Sequence, residues 1–151
     1  MSDPLRELYQ EVIVDHGKRP RNFRRLEAPS RSAEGFNPLC GDQLRLELRL
    51  ADGVIEDIAF QGQGCAISQA SASLLTLAVK GMRQEQALEL FARVQALLTE
   101  GPSSRVAPET LGKLAVLAGV WEFPLRVKCA ALAWHTLRSA LQGDAAPVST
   151  E

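Results

Sequence analysis

The chain has 151 residues, 46% hydrophobic and 23% charged, with a formal net charge of −1. That balance fits one globular domain over 1–151 with its own core, and it argues against a nucleic-acid binder, which would carry a basic charge. The apolar runs are too short to span a bilayer and Met1 leads straight into charged sequence, so a cytoplasmic location is expected.

Asp3-Pro4 reads as an N-cap followed by a first helical proline. Leu5, Leu8, Tyr9, Val12 and Ile13 then repeat at helical spacing, and Gly17 and Pro20 end that helix. Residues 18–36 show no clear period and are expected to be mostly loop. Lys18, Arg19, Arg21, Arg24 and Arg25 make the stretch basic, as a solvated surface or as a docking patch for an acidic partner. Leu44, Leu46, Leu48 and Leu50 alternate with charged residues, which predicts a half-buried strand. Asp52-Gly53 signals a hairpin turn, and Val54–Phe60 returns as the partner strand. Residues around Ser32–Phe36 supply a third antiparallel strand.

After Gly62 and Gly64 the pattern becomes helical. Helices are expected over 66–80, across the Ala87–Leu98 stripe, over Pro108–Ala118 and from Pro124 to about Leu141. The chain is expected to be ordered over roughly 3–142, with 143–151 a disordered tail. Strands followed by helices predict an α+β fold: a small antiparallel three-stranded sheet with helices packed on one face, plus an N-terminal helix and an extra helical insertion.

Cys40, Cys65 and Cys129 are the only cysteines. In a reducing compartment, cysteines stay free, bind metal or do chemistry. Singly, each is most simply a small buried hydrophobe. Together with Asp42 they make a tetrahedral donor set for one thiophilic ion, most simply Zn²⁺. If the strand begins near Cys40, Cys40 and Asp42 leave the same face as Leu44, Leu46 and Leu48. A tight turn at Gly41-Asp42 is the plainer alternative. Cys65 precedes a helix, whose N-terminus favours thiolate. Gly62 and Gly64 before it lack the full spacing of a phosphate loop. Arg126 lies one turn from Cys129 on the same helix face, whereas Lys128 is roughly 100° around. His16 is expected to serve as a cation at the end of the first helix, and His135 to point away from Cys129. Trp121, Phe123 and Trp134 are expected in the core or an interface.

The stretches Asn37-Pro38-Leu39-Cys40-Gly41-Asp42, Gly62-Gln63-Gly64-Cys65-Ala66-Ile67-Ser68 and Arg126-Val127-Lys128-Cys129-Ala130-Ala131-Leu132-Ala133-Trp134 resemble, in order, three signature stretches of the IscU/SufU/NifU N-terminal family of iron–sulfur cluster assembly proteins. Pro20-Arg21-Asn22 is similar to that family as well. The resemblance covers roughly residues 4–142. It maps the family's metal ligands onto Cys40, Asp42, Cys65 and Cys129. Lys128 stands where IscU-type members carry histidine, and Gln84–Val106 resembles the extra segment of the SufU branch. The resemblance therefore implies a zinc-dependent sulfurtransferase with Cys40 as acceptor thiol. It would take persulfide sulfur from a SufS-type, PLP-dependent cysteine desulfurase and pass it to a SufBCD-type assembly complex. Arg126 and Lys128 would serve partner docking. The alternative implied by the same family is a scaffold that carries a transient iron–sulfur cluster on the same ligands.

Overall fold

The computed structural model describes residues 3–101, 104–143 and 147–149. Its elements in chain order are α1 (Asp3–Lys18), β1 (Arg31–Asn37), β2 (Asp42–Ala51), β3 (Val54–Gln63), α2 (Ala66–Val79), α3 (Gln84–Glu100), a 3₁₀ segment (Pro108–Glu122), α4 (Pro124–Gln142) and β4 (Val148–Ser149). The α+β class is as expected. No helix among the described residues is long and apolar enough to cross a membrane.

The alternating leucines of β2 decide the architecture. Leu44, Leu46 and Leu48 are buried, and β2 pairs antiparallel with both β1 and β3. The β2–β3 connection is a two-residue turn in which Asp52 (φ 52°) and Gly53 (φ 77°) are both left-handed. That geometry matches the twist of the flanking strands. The helices α2 and α4 cover the leucine face, α1 packs on α2, and α3 and the 3₁₀ segment pack on α4. Trp134 of α4 is fully buried where α2 meets α4. Its indole N–H donates to Ser71 Oγ at 3.1 Å, and the Ser71 hydroxyl donates to the Ala130 carbonyl at 2.6 Å.

Three expectations are corrected. Among the described residues the sheet has four strands, in the order β3-β2-β1-β4, and is mixed. Val148–Ser149 lie parallel to β1 on its outer edge, opposite Gly35 and Phe36. A strand of two residues shows no alternation to read. Residues 144–146, 150 and 151 of the expected disordered tail lie outside the described residues. The helix expected over Pro108–Ala118 and closed there is 3₁₀, runs on to Glu122 and turns at Gly112 (φ 58°, ψ −130°). His16 is not a solvated cation. It is buried, with Nδ1 2.7 Å from Ser73 Oγ, and burial and the nearby Arg21 push its pKa down.

The basic stretch holds its own loop in place. Arg19 and Arg21 pair with Asp15, and Arg24 pairs with Asp57. The backbone of Asn22 and Arg24 bonds to Phe60 of β3, and the ring of Phe23 meets that of Phe60 edge-on at 5.2 Å. This loop thereby ties α1 and α2 to β3.

Candidate metal centre

The four predicted donors converge at the end of the sheet where β1 turns into β2 and β3 runs into α2. Asp42 is the first residue of β2 and is fully buried on the leucine face. Cys40 is not on the strand, so the period-two argument for its placement fails. It sits in a turn over 38–41, where the amides of Cys40 and Gly41 both donate to the Asn37 carbonyl, at 3.3 and 2.9 Å. Gly41 is left-handed (φ 72°), a conformation that costs glycine little. The turn folds Cys40 back until its Sγ is 3.3 Å from Cys129 Sγ.

Cys65 is the N-cap of α2. Its sulfur accepts the Ser68 N–H at 3.4 Å, its own N–H donates to Asp42 Oδ1 at 2.9 Å, and its thiol reaches Asp42 Oδ2 at 3.8 Å. The glycines before it serve close packing. A Cβ on Gly64 would fall on the Asp42 carboxylate, and one on Gly62 on the Gln43 carbonyl. Cys129, inside α4, is buried, whereas Cys40 and Cys65 are exposed.

One ligand atom each from Cys40, Asp42 and Cys129 lies within 4.8 Å of the others. Cys65 stands beside that group, joined through Asp42. Soft thiols with one carboxylate fit a thiophilic ion such as Zn²⁺. The fully buried carboxylate supports the same fit, because a charge out of water needs hydrogen bonds or a cation. Without an ion the buried Cys129 keeps its proton. Burial pushes the Cys129 thiol far above the ordinary cysteine range, and the neighbouring Asp42, Cys40 and Cys65 add to the effect. Metal ligation demands the thiolate, so an ion reverses this state.

The thiols open into an apolar cleft of about 580 Å³, lined by Ile13 and Val14 of α1, Ile67 of α2, Val120, Phe123 and Leu125. Val14, Phe123 and Leu125 are exposed around it. Arg126 lines the same cleft, its guanidinium 4.6 Å above the Phe123 ring. Lys128 lies elsewhere, in a second cleft with Gln95, Trp121 and His135. His135 meets Phe91 edge-on at 5.3 Å and faces away from the thiols, as expected from its helical position. Trp134 is core, while Trp121 and Phe123 are exposed.

Sequence reasoning missed one residue as a participant. Asn37, the last residue of β1, is fully buried, and its Nδ2 is 3.8 Å from Cys129 Sγ. The available signal was an asparagine directly ahead of a Pro-Leu-Cys-Gly turn, where its side chain can bond the backbone two residues on.

The NifU-like N-terminal domain family matches residues 8–141. The chain is 41% identical over 141 residues to the iron–sulfur cluster assembly scaffold protein IscU of Streptococcus pyogenes serotype M1, a match covering 93% of this chain and 87% of that one. It is 40% identical over 137 residues to the zinc-dependent sulfurtransferase SufU of Bacillus subtilis strain 168, covering 91% of each. A solved structure of a Fervidobacterium islandicum AW-1 protein, assigned as an assembly scaffold for the SUF system, superposes with a TM-score of 0.81 at 32% identity. That match covers 89% of this chain and 97% of the other.

Proposed function

The chain belongs to the NifU-like N-terminal domain family, and from that membership we propose that it is a zinc-dependent sulfurtransferase of iron–sulfur cluster assembly. One observation carries the choice: the two close thiols are unequal. Cys40 is exposed on a turn and Cys129 is buried in a helix, with their sulfurs 3.3 Å apart. The buried sulfur suits holding an ion, and the exposed one suits meeting a partner. Cys65 is exposed too, but its sulfur caps α2.

Cys40, Asp42, Cys65 and Cys129 would hold the zinc, which would keep the thiolates ordered and shielded from oxidation until a partner docks. The Cys40 thiolate attacks the outer sulfur of a persulfide on a PLP-dependent, SufS-type cysteine desulfurase. A sulfur–sulfur bond to Cys40 forms, the partner's own sulfur–sulfur bond breaks, and its cysteine leaves as thiolate. No external oxidant or reductant is consumed. The exposed rim of Val14, Phe123 and Leu125, with Arg126, forms the docking face, and the sulfur then passes to a SufBCD-type complex. Lys128 would assist docking only from beyond this cleft.

The scaffold reading rests on the same donor set and on the equally close relative named as a scaffold. One experiment separates the two. Zinc-loaded protein is incubated anaerobically with a desulfurase and cysteine, digested and weighed. A gain of about 32 Da on the peptide holding Cys40 is expected, as thiolate exchange requires. An adduct confined to Cys65 or Cys129 overturns the acceptor assignment. An iron–sulfur chromophore in protein isolated anaerobically, with no zinc, favours the scaffold.

A further inference from the structure

We propose that Asn37 is a positioning residue of the metal centre, fixing the turn that carries Cys40 with one end of its side chain and donating a hydrogen bond to the Cys129 sulfur with the other. The inference rests on the zinc-site reading above.

Asn37 pairs in register with Asp42, so these two residues bracket the turn. Four contacts leave it. Its Oδ1 accepts the Leu39 N–H at 3.1 Å, the turn made by an asparagine bonding its own backbone two residues on. Its carbonyl accepts the amides of Cys40 and Gly41. Its Nδ2 donates to Cys129 Sγ at 3.8 Å, across 92 residues of sequence. One fully buried side chain thus sets the position of the exposed sulfur and touches the buried one.

The chemistry asks for an amide here. Three thiolates and a carboxylate around a divalent cation leave an excess of two negative charges. An N–H aimed at one sulfur offsets part of that charge and fixes its lone-pair direction, as outer partners of metal ligands do. Aspartate would keep the acceptor for Leu39 but turn a second carboxylate towards the sulfur. Serine could keep the turn bond, yet it is too short to reach Cys129. Both substitutions therefore separate the turn from the sulfur contact.

The wild-type measurement comes first. The protein is loaded with ¹¹³Cd, and a scalar coupling is sought between the ion and the Asn37 side-chain amide, transmitted through N–H···S. The coupling is expected, and its absence in a loaded protein overturns the proposal. Zinc affinity is then measured by competition with a chromophoric chelator for Asn37→Asp and Asn37→Ser. A weakening of about 10–100-fold is expected, typical of removing an outer-shell partner. The sulfur-to-metal charge-transfer band of the Co²⁺-loaded variants should move to lower energy, because an unbonded thiolate is the better electron donor. A merely structural role would leave that band in place. Unchanged affinity and band in Asn37→Ser also overturn the proposal. Failure of the wild type to bind any of these ions would instead sink the zinc-site reading itself.

Discussion

Gly64 and Asp42 are in such close contact that a Cβ on the glycine would overlap the Asp42 carboxylate. The backbone must come this near for the next amide, that of Cys65, to reach Asp42 Oδ1 at 2.9 Å. Gly64→Ala is therefore expected to push Asp42 off its position. The cost should be about 1–3 kcal/mol, as for overpacking elsewhere, together with weaker zinc binding. Urea unfolding and zinc competition check this. A variant as stable and as tightly loaded as wild type would show that the contact is slack.

Elemental composition after mild purification should show about one zinc per chain. Chelation should lower the thermal midpoint by on the order of 10 °C, since each kcal/mol moves a domain of this size by about 2–4 °C. The protonated Cys129 of the metal-free fold adds a pH signature. Loading must release protons, so zinc affinity falls as pH falls. An unchanged midpoint after verified metal loss would contradict a stabilising role.

Arg126 stays protonated and cannot serve as a zinc ligand, yet it lines the thiol cleft. Arg126→Ala should keep zinc and hold stability within about 0.5 kcal/mol, as exposed positions do, while losing stimulation of the desulfurase. Lys128→Ala, changed in the other cleft, is the matched control. Full stimulation by Arg126→Ala at low partner concentration would reduce Arg126 to a solvated side chain resting on Phe123.

His16 links stability to pH. Burial first, then Arg21, holds its pKa below the ordinary histidine value of 6.5, with Asp15 opposing and Lys113 adding to the lowering. The folded state thus resists the proton that the unfolded chain accepts. The stabilisation is complete above the unfolded value and is lost as pH falls through the folded one. His16→Gln should cost about 1 kcal/mol at neutral pH by losing the Ser73 partner, and it should flatten the acid decline. Thermal melts of both proteins, saturated with zinc, from pH 7.5 to 5.5 are the check. Parallel declines would remove His16 as the cause.

Much of this was legible from residue patterns, and the failures have physical reasons. Leu44, Leu46 and Leu48 announced the buried face, and Asp52-Gly53 announced the hairpin. Cys65 announced a helix start, since it follows two glycines and precedes small helical residues. Cys40 comes beside Cys129 by a route that strand parity cannot foresee, a left-handed Gly41 that folds the chain back. The burial of His16 had a visible signal, as it continues the Tyr9, Val12 and Ile13 stripe by one helical step. The cue lost to the expectation that a histidine in a last turn serves as a cation for the helix end. Asn37 was hidden because its partner Cys129 is distant in sequence, and no local pattern encodes such a contact. Val148–Ser149 form a strand only because β1 offers an open edge.

The sulfurs of Cys40 and Cys129 meet across 89 residues, and the later one arrives on the last helix. Closing so wide a loop is a late event, so the site cannot be completed while α4 is still being synthesised. Until then Cys40 and Cys65 stand open to oxidants and to stray metals. A firmly held ion accordingly certifies that this chain has finished folding, and a quality-control step that tests for the metal tests the whole domain at once.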